Sequence, residues 1–454
     1  MPNTRFPPDF VWGVATSAFQ IEGATSVDGR GESIWDRFSS RPGNIEDGSD
    51  GTLACDHYAR WQQDIDLIAS LGVSAYRFSI AWPRIFPKGS GQLNPLGLAF
   101  YDRLIDALLA RNIEPFITLY HWDLPQHLQD KGGWLQRDTA RYFADYAHEV
   151  GRRLGDRAKK WVTHNEPWCS SILGHESGHH APGLKDRGKA LAAGHHMLLS
   201  HGLAVDALRD TFSDLDIGIV QILCPGYPAS PSEADAEATQ VFEDDFNRWF
   251  MDPIAFGRYP RAAIARARAH GFIDEHHPVL ANPDDLKTIS APIDFVGVNY
   301  YSRAIIRAEI LEQDNRPREL FSPPDEEKTD MGWEVYPEGL YAVLKRVADE
   351  WKFKKVYVTE CGAAYDEGPD EHGRIYDRRR IEFLEEHFAN AERAISDGVQ
   401  VAGIFVWSLL DNFEWAFGYR KRFGVVWVDY ATQERKLKDS AHWFREFIET
   451  NGRS

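Results

Sequence analysis

The sequence predicts an α/β fold, a single (β/α)8 TIM barrel covering residues 1–454 with extended βα loops. Three observations lead there. Eight short apolar, β-branched or aromatic runs recur along the chain, amphipathic stretches with helical spacing lie between most of them, and no linker or low-complexity break interrupts the series. Length alone would also suit two or three domains, but the unbroken alternation favours one barrel.

The expected strands lie at 11–15, 75–79, 115–120, 161–165, 217–222, 294–299, 356–359 and 401–407. Helical patterns occupy 56–71, 96–110, 139–154, 189–208, 337–351 and 379–396. In the first of these, Trp61, Ile65, Ile68 and Leu71 recur near helical spacing. Gly72, Gly155 and Gly398 follow three of the patterns, where a helix-ending glycine is expected. The Pro- and acid-rich stretch 314–330 reads as a long loop rather than a domain boundary.

Side chains of a barrel strand alternate between lumen and helix layer. Arg77 and Ser79 share one parity and Tyr76 and Phe78 the other, while Phe295, Gly297, Asn299 and Tyr301 form one set on the sixth strand. Val356 and Val358 share the parity of Glu360, so the three are expected on one face. With the apolar sets turned to the helices, Arg77, Asn299, Tyr301 and Glu360 point into the lumen or its mouth. Glu166 and Glu360 then end the fourth and seventh strands on one rim, where barrel enzymes place their catalytic groups.

Composition narrows the function. Hydrophobic residues make up 43% and charged residues 26%, an ordinary soluble balance, and the net charge is −18. That charge argues against nucleic acid and against an anionic membrane surface, both of which need a positive face. No stretch is long and apolar enough to span a bilayer, and the N-terminal residues lack the apolar segment of a secretory signal. Cys55, Cys169, Cys224 and Cys361 form no CxxC pair or zinc spacing, so neither metal nor cofactor is expected, and buried thiols in the cytoplasm are. The 15 Trp and 17 Tyr can fill a core, and a minority can stack on the apolar faces of sugars.

Two carboxyls across one pocket are the machinery of glycosidic bond cleavage: one protonates the leaving oxygen, the other meets the developing oxocarbenium centre. Arg77 near Glu360 favours the ionised form, which suits a nucleophile. Apolar neighbours such as Pro167 and Trp168, plus the charge of Glu360, raise the pKa of Glu166, which suits the acid. Tyr301 is placed to donate a hydrogen bond to Glu360. Each glutamate alone reads more naturally as a solvated loop residue; two on one predicted rim weaken that reading.

Four segments, in order along the chain, resemble family 1 glycoside hydrolases, the β-glucosidase family. They are Phe10-Val11-Trp12-Gly13 continuing to Gln20-Ile21-Glu22-Gly23, Thr163-His164-Asn165-Glu166-Pro167, Thr359-Glu360-Cys361-Gly362, and Val406-Trp407-Ser408-Leu409-Leu410-Asp411-Asn412-Phe413-Glu414-Trp415. The resemblance covers essentially the whole chain. It implies a retaining double displacement with Glu166 as acid/base and Glu360 as nucleophile, and hence carboxyl groups about 5–5.5 Å apart. It implies that Gln20, His121, Asn165, Glu414 and Trp415 hold hydroxyls of the nonreducing sugar, with Trp407 as the platform under the ring. Arg77, Asn299 and Tyr301 would support Glu360, with Tyr301 also near the sugar. Trp333 would face the leaving group with Trp168 and His180. The implied substrate is a β-linked oligosaccharide or β-glucoside; the oligomeric state is not legible. Cys361 stands where the family more often has asparagine, and Gln221–Tyr227 departs from a commoner asparagine-rich pattern. The alternatives are a 6-phospho-β-glycosidase, which Glu414 would oppose by repelling phosphate, a thioglucosidase, which Glu166 opposes, and a non-catalytic sugar-binding barrel.

Overall fold

The computed structural model describes residues 5–308 and 326–452. Eight parallel strands close into a barrel in chain order: β1 (Val11–Ala15), β2 (Ala75–Ser79), β3 (Glu114–Tyr120), β4 (Lys160–Asn165), β5 (Asp216–Ile222), β6 (Phe295–Tyr300), β7 (Val356–Cys361) and β8 (Val401–Trp407). β1 closes the ring by pairing with both β8 and β2. Each strand begins within one residue of its predicted start. Among the described residues the α-helices of eight residues or more are α1 (His57–Ser70), α2 (Pro95–Leu109), α3 (Asp138–Leu154), α4 (Arg187–Arg209), α5 (Glu233–Glu243), α6 (Trp249–Phe256), α7 (Arg261–Ala269), α8 (Glu338–Asp349), α9 (Arg378–Ser396) and α10 (Asp439–Thr450). Six of them match the predicted patterns; α5, α6, α7 and α10 were not anticipated. The loop expected at 314–330 lies largely outside the described residues. Among the described residues no helix is long and apolar enough to cross a membrane.

Local chemistry sets the helix ends. The Asn94 side chain caps α2 by accepting from the Leu96 N–H, and Pro95 fills the first helical position, where a missing N–H costs nothing. α3 buries Phe143, Ala147, Val150 and Leu154 on one stripe, with Asp138 in its first turn and Arg152 and Arg153 in its last, complementing the helix dipole. Gly72 and Gly398 follow their helices in left-handed conformation, as predicted. Gly155 does not: its φ is −71°, and it is glycine because a Cβ there would meet the Gly151 carbonyl oxygen at 2.6 Å and the Phe212 ring at 2.7 Å.

The lumen is filled below the rim by Ala15, Phe116, Val162, Val220, Phe295, Tyr357 and Phe405. Phe116 meets Phe295, Tyr357 and Phe405 edge-on, with centroids 4.9–5.4 Å apart. Gly13 makes room for this packing, since a Cβ there would lie 2.3 Å from the Phe405 ring.

Alternation holds on β2 and β6 but breaks on two strands. On β7, Tyr357 faces the lumen and Val356 and Val358 join the outer core, opposite to the predicted set. A β-bulge then intervenes: Val298 pairs with Val358 but Asn299 with Glu360, so Thr359 is the extra residue and Thr359 and Glu360 both turn inward. A similar shift on β4, between Val162 and Asn165, turns Thr163 and His164 both toward α4, where they meet His201 and Ser200. Both bulges sit next to the glutamates.

Candidate active site

Glu166 directly follows β4 with a positive φ of 46°, a conformation that L side chains adopt only under constraint. The next turn winds as a π-helix over Cys169–Ser177, a form common at functional sites. Glu166 and Glu360 are each 3% exposed and line the same cavity at the C-terminal mouth of the barrel.

Their partners differ. Arg77, itself 1% exposed, donates from Nη1 to Glu360 Oε1 at 2.7 Å, and the Tyr301 hydroxyl donates to Oε2 at 2.6 Å. Glu166 accepts from Asn299 Nδ2 at Oε1, 2.6 Å away, and from the Cys169 thiol at Oε2, 3.0 Å away. Asn299, expected to support Glu360, pairs with it across the β6–β7 register and helps hold its pKa down, and its amide also donates to Glu166 and, at 3.1 Å, to Asn165 Oδ1. Burial and then the charge of Glu360 raise the Glu166 pKa to about 8. Burial also lifts Glu360 above the usual carboxylate value, against the pull of Arg77 and the Tyr301 hydrogen bond. Arg77 thus favours the ionised form of Glu360, as expected, while desolvation acts against it.

The remaining groups form a wall with fixed polarity. Arg77 Nη2 donates to Asn165 Oδ1 at 2.6 Å, so the Asn165 nitrogen faces His121 Nε2 at 3.2 Å. His121 therefore accepts at Nε2 and carries its proton on Nδ1, which has no protein partner. Burial and then Arg77 push its pKa well below the usual histidine value, so it is neutral. Trp407 and Trp415 lie nearly parallel to the His121 ring, at 5.8 and 5.9 Å. Trp415 also has a positive φ, 49°. Glu414 lines the cavity, and burial followed by the charges of Glu360 and Glu166 raises it to about 8. Gln20 is fully buried beside Glu414, donating to Asn412, the Phe413 carbonyl and Glu414. Across the cavity, Trp333 packs on Tyr301 at 5.3 Å, Trp168 on Phe246 at 4.4 Å, and His180 on Trp122 at 5.4 Å.

The cavity holds about 330 Å³, within the range of small-molecule sites. A family model described as "Glycosyl hydrolase family 1" matches residues 2–453. The chain belongs to glycosyl hydrolase family 1. Beta-glucosidase A of Acetivibrio thermocellus is 49% identical, over 100% of both chains. A bifunctional beta-D-glucosidase/beta-D-fucosidase of Bifidobacterium breve is 41% identical over 98% of both. A solved structure of the beta-glucosidase from Thermotoga maritima in complex with glucoimidazole superposes with a TM-score of 0.94 at 47% identity, over 99% of both chains. This family 1 enzyme is a glycoside hydrolase acting as a β-glucosidase.

Several of its site residues were not anticipated. Cys169 lies three residues after Glu166, so its side chain returns to the same side one turn later; that spacing was a usable signal. Thr359 had none, since the parity assigned from Glu360 sent it outward, whereas Tyr357 and Thr359 share the inward set. Leu173 and Phe246, from two π-helical turns, and Leu223, Cys224 and Phe423 also line the cavity.

Proposed function

We propose that the chain, as one catalytic domain over residues 1–454, is a retaining exo-β-glycosidase. It removes terminal nonreducing β-D-glucosyl residues from cello-oligosaccharides and aryl β-glucosides, and accepts β-galactosides and β-fucosides. The observation that carries this reading is the unequal pair of buried carboxyls in one cavity, Glu360 held by Arg77 and Tyr301, Glu166 carrying its proton up to about pH 8.

In the first step a Glu360 oxygen attacks the anomeric carbon. Glu166 gives its proton to the glycosidic oxygen, the bond to the aglycone breaks, and the aglycone leaves as an alcohol. In the second step the Glu166 carboxylate takes a proton from water. The water oxygen bonds to the anomeric carbon, and Glu360 is released as a carboxylate. This mechanism requires the two carboxyl groups about 5–5.5 Å apart. The neutral His121 with its Nδ1 proton, Asn165 and Glu414 suit a polyol that both donates and accepts. Trp407 suits the apolar face of the ring, and Trp333, Trp168 and His180 the leaving group. Gln20, beside Glu414, suits the same hydroxyls. The glucosidase/fucosidase relative supports a glycone site that tolerates changes in the sugar. The four buried, unpaired thiols suit a reducing, cytoplasmic setting.

Hydrolysis of 4-nitrophenyl β-D-glucoside followed by proton NMR tests the mechanism: β-glucose should appear first and mutarotate later. Initial α-glucose would mean inversion and overturn the double displacement. The pH profile of kcat/KM reads the same pair. Activity requires Glu166 protonated and Glu360 ionised, so it should fall as pH rises through about 8. It should also fall at low pH, as Glu360 gains a proton. A basic limb near the ordinary carboxylate value would contradict Glu166 as the acid.

A further inference from the structure

The bulge on β7 has a consequence for the other strand's glutamate. Thr359 is fully buried, and its hydroxyl donates to Asn299 Oδ1 at 2.7 Å. A hydroxyl can donate or accept, so this bond anchors the Asn299 amide without choosing its orientation. The orientation comes from β4: Asn165 Oδ1 already accepts from Arg77, so the Asn299 atom 3.1 Å from it is a donor. The two hydrogens of Asn299 Nδ2 are thereby assigned, one to Asn165 and one to Glu166 Oε1 at 2.6 Å. Oε1 faces an N–H that cannot turn away, so it is an acceptor whether Glu166 is ionised or not. Oε2 faces the Cys169 thiol at 3.0 Å, and a thiol rotates and can either donate or accept.

We propose that Thr359 is a positioning residue for the acid/base: its hydroxyl locks the Asn299 amide and so confines the transferable proton of Glu166 to Oε2. The inference rests on the reading of Glu166 as the acid/base. It also gives the bulge a role, because regular alternation would deliver Glu360 or Thr359 to the lumen but not both. The strand that carries one carboxyl thereby orients the other.

Thr359→Val removes the hydroxyl at nearly constant volume. The readout is the ratio of kcat/KM for 2,4-dinitrophenyl β-glucoside, whose leaving group needs no proton, to that for phenyl β-glucoside, whose leaving group does. The ratio should rise about tenfold in Thr359→Val. The basic limb with the phenyl substrate should move to higher pH, because an N–H that stabilises the carboxylate form is no longer held in place. Thr359→Ser should restore both. In an Asn299→Ala background, Thr359→Val should leave the ratio unchanged, since the relay is already cut. An unchanged ratio in Thr359→Val overturns the proposal, as does an equal fall with both substrates, which would place the effect on Glu360 or the barrel. Where the valine variant does not fold, Thr359→Ala reads the same ratio. Glu166→Gly separates the two levels. If it shows no leaving-group dependence, the acid/base reading fails; if it does and Thr359→Val does not, only the relay fails.

Discussion

Glu360→Ala is expected to lower kcat by roughly 10⁴-fold or more on every β-glucoside, activated or not. The glycosyl-enzyme bond has no other plausible partner: Glu166 faces Asn299 and Cys169, and Glu414 is held near Gln20. The loss should reflect chemistry rather than unfolding. Arg77 would still donate to Asn165 Oδ1, the Thr118 hydroxyl and the Thr359 carbonyl, so its N–H groups stay bonded, and Glu166, which feels its charge, can ionise to balance it. Removing one of three buried carboxyls also relieves the repulsion that lifts Glu166 and Glu414. A Tm within a few degrees of the parent would verify this. Azide, small enough to enter the vacated space, should attack an activated β-glucoside in one displacement and give the α-glucosyl azide. Turnover near the parent level in Glu360→Ala would sink the nucleophile assignment.

What could be read from the sequence and what could not divide along a physical line. Strand positions, the order of the two glutamates around the rim and the inward face of β2 and β6 follow from periodicity, which a regular strand preserves. The bulges on β4 and β7 are single-residue irregularities with no compositional mark, so Val356 and Val358 were assigned to the wrong face and Thr359 was overlooked. Glu360 was correct in direction only because the bulge reversed a parity that otherwise pointed it outward. Asn299 was placed beside Glu360, but its bond to Glu166 was not foreseen, because amide orientation depends on Arg77 and Asn165 on other strands. Gln20 illustrates a different limit: its residue type suits a sugar, but its anchoring by three acceptors around Asn412 follows only from the fold. The helices between β5 and β6 were missed because α5 to α7 are short and follow no single stripe across the insertion.

Glu166→Gly should behave quite differently from Glu360→Ala, and the contrast is the sharpest test of the pair. The first step with 2,4-dinitrophenyl β-glucoside needs no proton, so glycosyl-enzyme should still form and a burst of dinitrophenol should appear. The second step needs Glu166 as base, so steady-state turnover should fall about 10²–10⁴-fold, the usual worth of general acid–base catalysis. With phenyl β-glucoside the first step should fall by a similar factor, and no burst should be seen. Azide needs no deprotonation to attack. It should raise kcat for the dinitrophenyl substrate and give the β-glucosyl azide, because it enters from the face Glu166 served after one inversion by Glu360. The basic limb near pH 8 should vanish, since the group with that pKa is gone. The two azide products, α from Glu360→Ala and β from Glu166→Gly, are set by which side of the sugar each carboxyl occupies. An α-azide from Glu166→Gly would mean that the two glutamates had been assigned each other's roles, while leaving the barrel and the cavity as they stand.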